Sequence, residues 1–296
     1  MSVVLTPICA RKQCGGNSDG GEMLKISVIA AGLLLLAGPA DAADFEQRFE
    51  GTKPAVSGVN AKISFGYAQL NTYAIDHDHL GFGEASVSVP IGQRFGAQLD
   101  GALIRDEQDT IAGLGAHLFW RNPDVALAGL YGDFAKLIGA PSSFYRIGPE
   151  AEIYLGPVSL EGFAGVQGES SGGKLRFAGD LTAAIYPTDN FRLHAGVIRS
   201  LGATVGRVGG EYLMQFNGLS PSIFADGYFG NGGTEVRAGL RFYFGGQGKT
   251  LISRHRQDDP KNRILDLVAV SAGVGREEFK CPPGTFDDGT GVCFFE

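Results

Sequence analysis

The 296 residues carry 32 acidic and 25 basic side chains, a formal net charge of −7, with 44% hydrophobic residues and 46 glycines. An acidic chain without a long basic run lacks the concentrated positive surface that phosphate backbones need, which argues against nucleic acid as a partner. Glycine at about twice ordinary usage, beside ordinary hydrophobicity, points to many turns and bends rather than to disorder.

Taken in chain order, the first informative segment is Met23–Ala42. Lys25 precedes the apolar run Ile26–Gly38, and Ala40-Asp41-Ala42 follows it. A basic start, a short apolar core and small residues in an A-x-A arrangement read as a cleaved secretory signal. The apolar run is too short for the roughly 20 residues of a spanning helix. Residues 1–22 read as a mis-assigned start upstream of Met23, or alternatively as an extended basic region using Arg11 and Lys12.

Residues 56–244 show no amphipathic helix. Short segments alternate apolar and polar residues with period two, the pattern of half-buried strands. Val59, Ala61, Ile63, Phe65 and Tyr67 share one face against Asn60, Lys62, Ser64 and Gly66. Leu175, Phe177, Leu181, Ala183 and Ile185 do the same against Arg176, Asp180 and Thr182. Twelve such segments start near Val59, Phe82, Phe95, Ile111, Val125, Phe144, Val158, Leu175, Phe191, Val205, Ser222 and Thr234.

Tight breaks such as Pro90-Ile91-Gly92-Gln93 and Pro187-Thr188-Asp189-Asn190 alternate with looser, more polar ones such as Asn71–His79 and Arg105–Asp109. Short turns on one side and longer loops on the other are the asymmetry of a transmembrane barrel, as is strand length of ten or so residues. Prolines fall in or beside the breaks except Pro149, which marks a bulge in the sixth strand or a register fault. Phe95, Trp120, Phe191, Phe216 and Phe244 gather at one set of strand ends, and Tyr67, Phe82, Tyr145 and Phe229 at the other, in the manner of interfacial aromatic girdles.

The last strand, Arg237-Ala238-Gly239-Leu240-Arg241-Phe242-Tyr243-Phe244, resembles the terminal recognition strand of bacterial outer-membrane β-barrels. Arg237, Gly239, Phe242 and Phe244 occupy its polar, glycine and aromatic positions. The resemblance implies an antiparallel barrel of about 12 strands in the outer membrane of a Gram-negative bacterium. It further implies contact with outer-membrane lipid and insertion by the barrel assembly machinery. In that family the aromatic usually ends the chain, whereas here 52 residues follow. A secreted β-sandwich or a lipocalin-like barrel is the soluble competitor, since its core face alternates as clearly.

If the apolar face meets lipid, the opposite face lines the lumen. That face holds Lys62, Glu84, Asp100, Arg146, Glu150, Glu152, Glu161, Arg176, Asp180, Arg192, Glu211, Glu235, Arg237 and Arg241, eight acids and six bases. A slight excess of negative charge favours cations in a narrow lumen. A porin-like channel for small solutes with mild cation preference is therefore the first expectation. A structural or interaction barrel with a closed lumen and a tail that docks in the periplasm is the second.

The segment 245–296 changes character. Gly245-Gly246-Gln247-Gly248 reads as a flexible link, Arg254–Pro260 as a charged stretch and Ile264–Val274 as a short apolar one. The whole reads as a short periplasmic tail. Cys281 and Cys293 enclose eleven residues, and in an oxidising compartment they pair as a disulfide-closed loop.

Asp76-His77-Asp78-His79 in the first outer loop is the sharpest local cluster, similar to the acidic and histidine residues at the rim of omptin-type proteases. Adjacent residues of an extended loop converge poorly on one ion, so no metal and no cofactor are expected, and a rim hydrolase stands third. His117 and His194 sit within strands without a local serine motif beside them.

Overall fold

The computed structural model describes residues 53–72, 78–105, 110–139, 143–170, 172, 174–216, 220–246, 248–271, 285–287 and 293–295. The chain divides into two compact units, one spanning Thr52–Glu278 and the other combining Met1–Gly51 with Phe279–Glu296. In the second unit the described elements form a two-stranded antiparallel pair. The signal segment Met23–Ala42, the residues before it and Cys281 lie outside the described residues.

The first unit is a closed barrel of twelve antiparallel strands, each paired with its sequence neighbours. They are β1 (Asn60–Thr72), β2 (Asp78–Ile91), β3 (Phe95–Arg105), β4 (Thr110–Asn122), β5 (Ala126–Leu137), β6 (Ser143–Leu155), β7 (Val158–Glu169), β8 (Arg176–Thr188), β9 (Phe191–Ser200), β10 (Ala203–Leu213), β11 (Ser220–Gly230) and β12 (Gly233–Phe244). Two short helices follow, α1 (Leu251–Gln257) and α2 (Ile264–Ser271), and then β13 (Thr285–Asp287) and β14 (Cys293–Phe295) in the other unit.

Period-two alternation sets the two faces of the wall. Leu99, Leu114, Leu118, Leu130, Ile147, Phe177, Leu181 and Val236 point outward and are exposed, Leu114 at 69%. Between them Gln98, His117, Arg146, Glu150, Arg207 and Arg237 point inward and are buried. Apolar outside and charged inside is the inverse of a water-soluble barrel and the arrangement of a transmembrane one.

Closure depends on the seam between β12 and β1, where Gly66 faces Gly239. A methyl group added at Gly239 would lie 2.3 Å from the carbonyl oxygen of Phe65, and one at Gly66 would lie 2.1 Å from that of Ala238. Only hydrogen fits on either side. Beside them Phe242 stacks on Phe65 with ring centroids 5.9 Å apart.

Several details differ from the sequence expectation. β2 begins at Asp78, so the Asp76–His79 cluster is divided. Asp78 and His79 start the strand, while Asp76 and His77 lie outside the described residues. Pro149 faces outward and interrupts pairing with β7, yet Ile147↔Val166 and Glu150↔Phe163 keep one register, so there is no bulge. The register shift occurs instead between Ile185 and Thr188, around Pro187, where a proline at a strand end removes a ladder donor. Phe82 is 5% exposed and points into the barrel, not into an aromatic girdle.

The largest difference concerns the chain after β12. Read as a tail in the periplasm, its described part up to Leu267 lies inside the barrel. Gly245, Gly246 and Gly248 adopt φ of +82°, +54° and +76°, left-handed conformations that turn the chain back toward the mouth. Thr250 then caps α1, its hydroxyl accepting from the Ser253 amide. Leu251 is fully buried against Ala184, Tyr186, Leu213 and Tyr243 at the tight-turn end of the wall. From there the chain climbs. Pro260 is bonded near the start of β1 and β3, Asn262 at mid-height of β3, and Leu265 and Asp266 near the far ends of β12, β10 and β11.

Because the seam has no room for a Cβ, Gly239→Val should reduce the folded barrel severalfold while leaving synthesis unchanged. The comparison of heated and unheated gel mobility checks this. A wild-type proportion of the compact form would contradict the seam as the closing constraint.

Candidate functional site

The candidate site is the lumen. Of the residues expected to line it, Lys62, Asp100, Arg146, Glu150, Glu152, Glu161, Arg192, Glu211, Glu235 and Arg237 are buried inside the wall. The side chains of Glu84, Asp180 and Arg241 are less than a fifth exposed there. Arg176 lies at the loop end of β8 and is exposed, donating to the Leu201 carbonyl at 3.4 Å. Alternation also points Arg121, Asp133, Arg207 and Asp226 inward, and the sequence reading omitted them. Each shares the period-two face of a neighbour, so the signal was present.

Most wall charges are matched within the wall, along one strand or between strands one or two places apart. Arg192 meets Glu161 at 2.8 Å, Arg241 meets Glu211 at 2.5 Å, and Arg237 meets Glu235 at 2.5 Å. Arg146 pairs with Asp133. His194 lies 2.9 Å from Asp226. Both ring nitrogens of His117 meet carboxylates at 2.8 Å, Nε2 at Asp100 and Nδ1 at Glu150, so neither is left to activate a serine.

The tail completes this network. Arg263 is completely buried, donating from Nη1 to Glu150 at 2.8 Å and from Nε to Asp180 at 2.9 Å. Its own carbonyl accepts from Arg146 at 2.8 Å. Asp266 accepts from Arg207 at 2.8 Å and from the Tyr228 hydroxyl at 2.7 Å, and it also pairs with Lys261. Three tail carbonyls thus take donors from the wall, since Lys62 and Gln98 both reach that of Pro260 and Arg237 that of Leu265. Ile264 fits over Gly113 of β4, where a Cβ would stand 2.4 Å from its Cγ2.

Nearer the tight-turn end, His255 sits between two tyrosines. Its Nδ1 is 2.9 Å from the Tyr186 hydroxyl and its Nε2 is 3.1 Å from that of Tyr243. Tyr243 donates to Glu211 at 2.8 Å, so it accepts from Nε2–H and leaves Nδ1 to accept from Tyr186. That is a neutral imidazole. Burial, then the charges of Arg192 and Lys62, push its pKa well below the ordinary 6.5.

No family model matches the chain, and no curated protein matches it in sequence. Among solved structures it is similar to the KdgM porin, at 10% identity and a TM-score of 0.46, over 62% of this chain and 99% of that one. It is similar to the translocator domain of autotransporter NalP from Neisseria meningitidis, at 11% identity and 0.45, over 64% and 88%. A Salmonella typhi outer membrane phospholipase aligns at 14% identity and 0.45, over 66% and 93%. At these identities the likeness is one of barrel architecture and assigns no activity.

A histidine whose folded pKa is depressed contributes stability that is present above its unfolded value and lost as pH falls. Acidification below about 6.5 should therefore loosen α1. Hydrogen exchange of residues 251–257 should accelerate as pH drops from 7.5 toward 5 after correction for intrinsic rates, and His255→Gln should flatten that dependence. An unchanged profile in the variant would show that other groups govern the seat.

Proposed function

We propose that the protein is a porin-like barrel of a Gram-negative outer membrane, exported by the Met23–Ala42 signal and closed in this state by its own tail. The observation that carries the reading is the inverted wall, with leucines exposed outside and matched charges buried inside. Lipid would satisfy the outer belt, and the terminal strand with Phe242 and Phe244 would serve as the signal for the barrel assembly machinery. A lumen lined by these acids and bases suits small solutes, with a mild preference for cations. A permanently closed structural barrel is the second reading, favoured by the fully buried Arg263.

The protein is expected to fractionate with outer membranes and to run faster on gels when unheated. In planar bilayers the full chain should be mostly silent, and the brief openings should be weakly cation-selective. That preference should fade toward 1 M salt, where the screening length falls to about 3 Å. Recovery in the soluble periplasm without a heat-dependent shift would contradict the reading, as would steady, large conductance from the intact chain.

A further inference from the structure

The wall and the tail differ in how much each needs the other. Arg146, Arg192, Arg237 and Arg241 each have a carboxylate partner within the wall itself. Glu150 keeps His117 as a partner whether or not the tail is present. Only a few wall groups, chiefly Arg207 and Asp180, depend on the tail for an opposite charge at short range. The barrel's electrostatics therefore close with little help from residues 249–267.

Leu251, Ile264, Leu265 and Leu267 anchor the tail by burial, and the polar contacts between them are ones that water can replace. Its inner part is bonded through carbonyls and through two charged side chains, Arg263 and Asp266. Such contacts give little net stability once both partners can be hydrated, because folding merely exchanges them for hydrogen bonds to water. The tail also fills the lumen unevenly. A cavity remains on the side of β9–β12, β1 and β2, bounded by Ser86, Arg192, Arg207 and Asp259. Ser86 Oγ, Arg192 Nε, Arg207 Nε and Asp259 Oδ1 are buried there without a protein partner. That space borders both Arg207 and the inner stretch of the tail, residues 261–266.

At the other end, the left-handed glycines Gly245, Gly246 and Gly248 form the turn through which the chain re-enters the barrel. Arg254 donates to the carbonyls of Gly245 and Gly246, fixing that link while α1 is seated.

We propose that the tail is a displaceable gate of the lumen, hinged at Gly245, Gly246 and Gly248 and held shut by a two-point ionic latch, Arg263 on Glu150 and Asp180, and Asp266 on Arg207 and Tyr228. The gate rests on the porin-like reading; the latch does not, because tail position can be read without current.

The test places a reporter pair, Gly113→Cys with Ile264→Cys, in the full chain carrying Cys9→Ser, Cys14→Ser, Cys281→Ser and Cys293→Ser. The close approach of Ile264 to Gly113 puts the new thiols within bridging reach only while the tail is seated. With the native latch, bridging should be rapid, and the oxidised protein should stay silent in bilayers. Adding Arg263→Ala with Asp266→Ala should slow bridging by about tenfold, the shift expected from losing charge-assisted hydrogen bonds. In reduced form that protein should open frequently. If the double variant does not insert, Arg263→Lys keeps the charge without the two-pronged geometry and should slow bridging less. Unchanged bridging in the inserted latch variants would overturn the latch. Current through the fully bridged protein equal to that of the reduced one would overturn the gate. Slowed bridging without any current would sustain the latch and overturn the porin-like reading instead.

Discussion

The seating of the tail turns on one guanidinium with no access to water. Arg263 enters the lumen from the chain that follows the barrel and lies between Glu150 and Asp180. Moving an ion out of water costs several kcal/mol even after the protein relaxes, so the position is tenable only with partners already in place. Those partners are themselves placed by the wall. Glu150 is held by His117, which is held by Asp100, which accepts from Gln98. One charged side chain of the tail is thus received by a chain of hydrogen bonds reaching across β3, β4 and β6.

The same need for partners governs the other charges inside the twelve-strand barrel. A lumen of this size is too wide for wall side chains to fill alone and too narrow for bulk water to screen every charge. The wall solves part of the problem by pairing charges along one strand or between strands one or two places apart. The tail solves another part, its backbone carbonyls and its acid–base residues taking up donors and acceptors that neighbouring strands leave over. Some buried polar atoms stay unmatched, among them all three guanidinium nitrogens of Arg121, whose group lies 4.7 Å from the Phe119 ring centroid.

The wall was legible in the sequence because period-two alternation encodes it directly. A strand buried on one side and lipid-facing on the other must alternate, and Leu114 with Leu118 against His117 shows it in a few residues. Lumen residues followed from the same parity. Phe82 misled because an aromatic near a strand end suggests the interface, whereas here the outer part of the lumen is itself apolar, with Leu70, Leu80, Phe82, Ile104 and Ile198 clustered around Leu265. The tail was illegible for a different reason. Arg254, Asp258, Asp259, Lys261, Arg263 and Asp266 form a composition that normally means solvation. Only three-dimensional closure of the wall creates a polar interior able to bury it. Nothing local in the sequence distinguishes a charged segment in water from one paired inside a barrel.

In the membrane-inserted protein this charged segment should lie within the lumen. A photo-crosslinking residue substituted at Leu265 in intact outer membranes tests it most directly, with mass spectrometry locating the adducts. The account predicts intramolecular adducts to peptides of β3, β9, β10 and β12. Adducts only to other periplasmic proteins or to the outer surface of the barrel would contradict it.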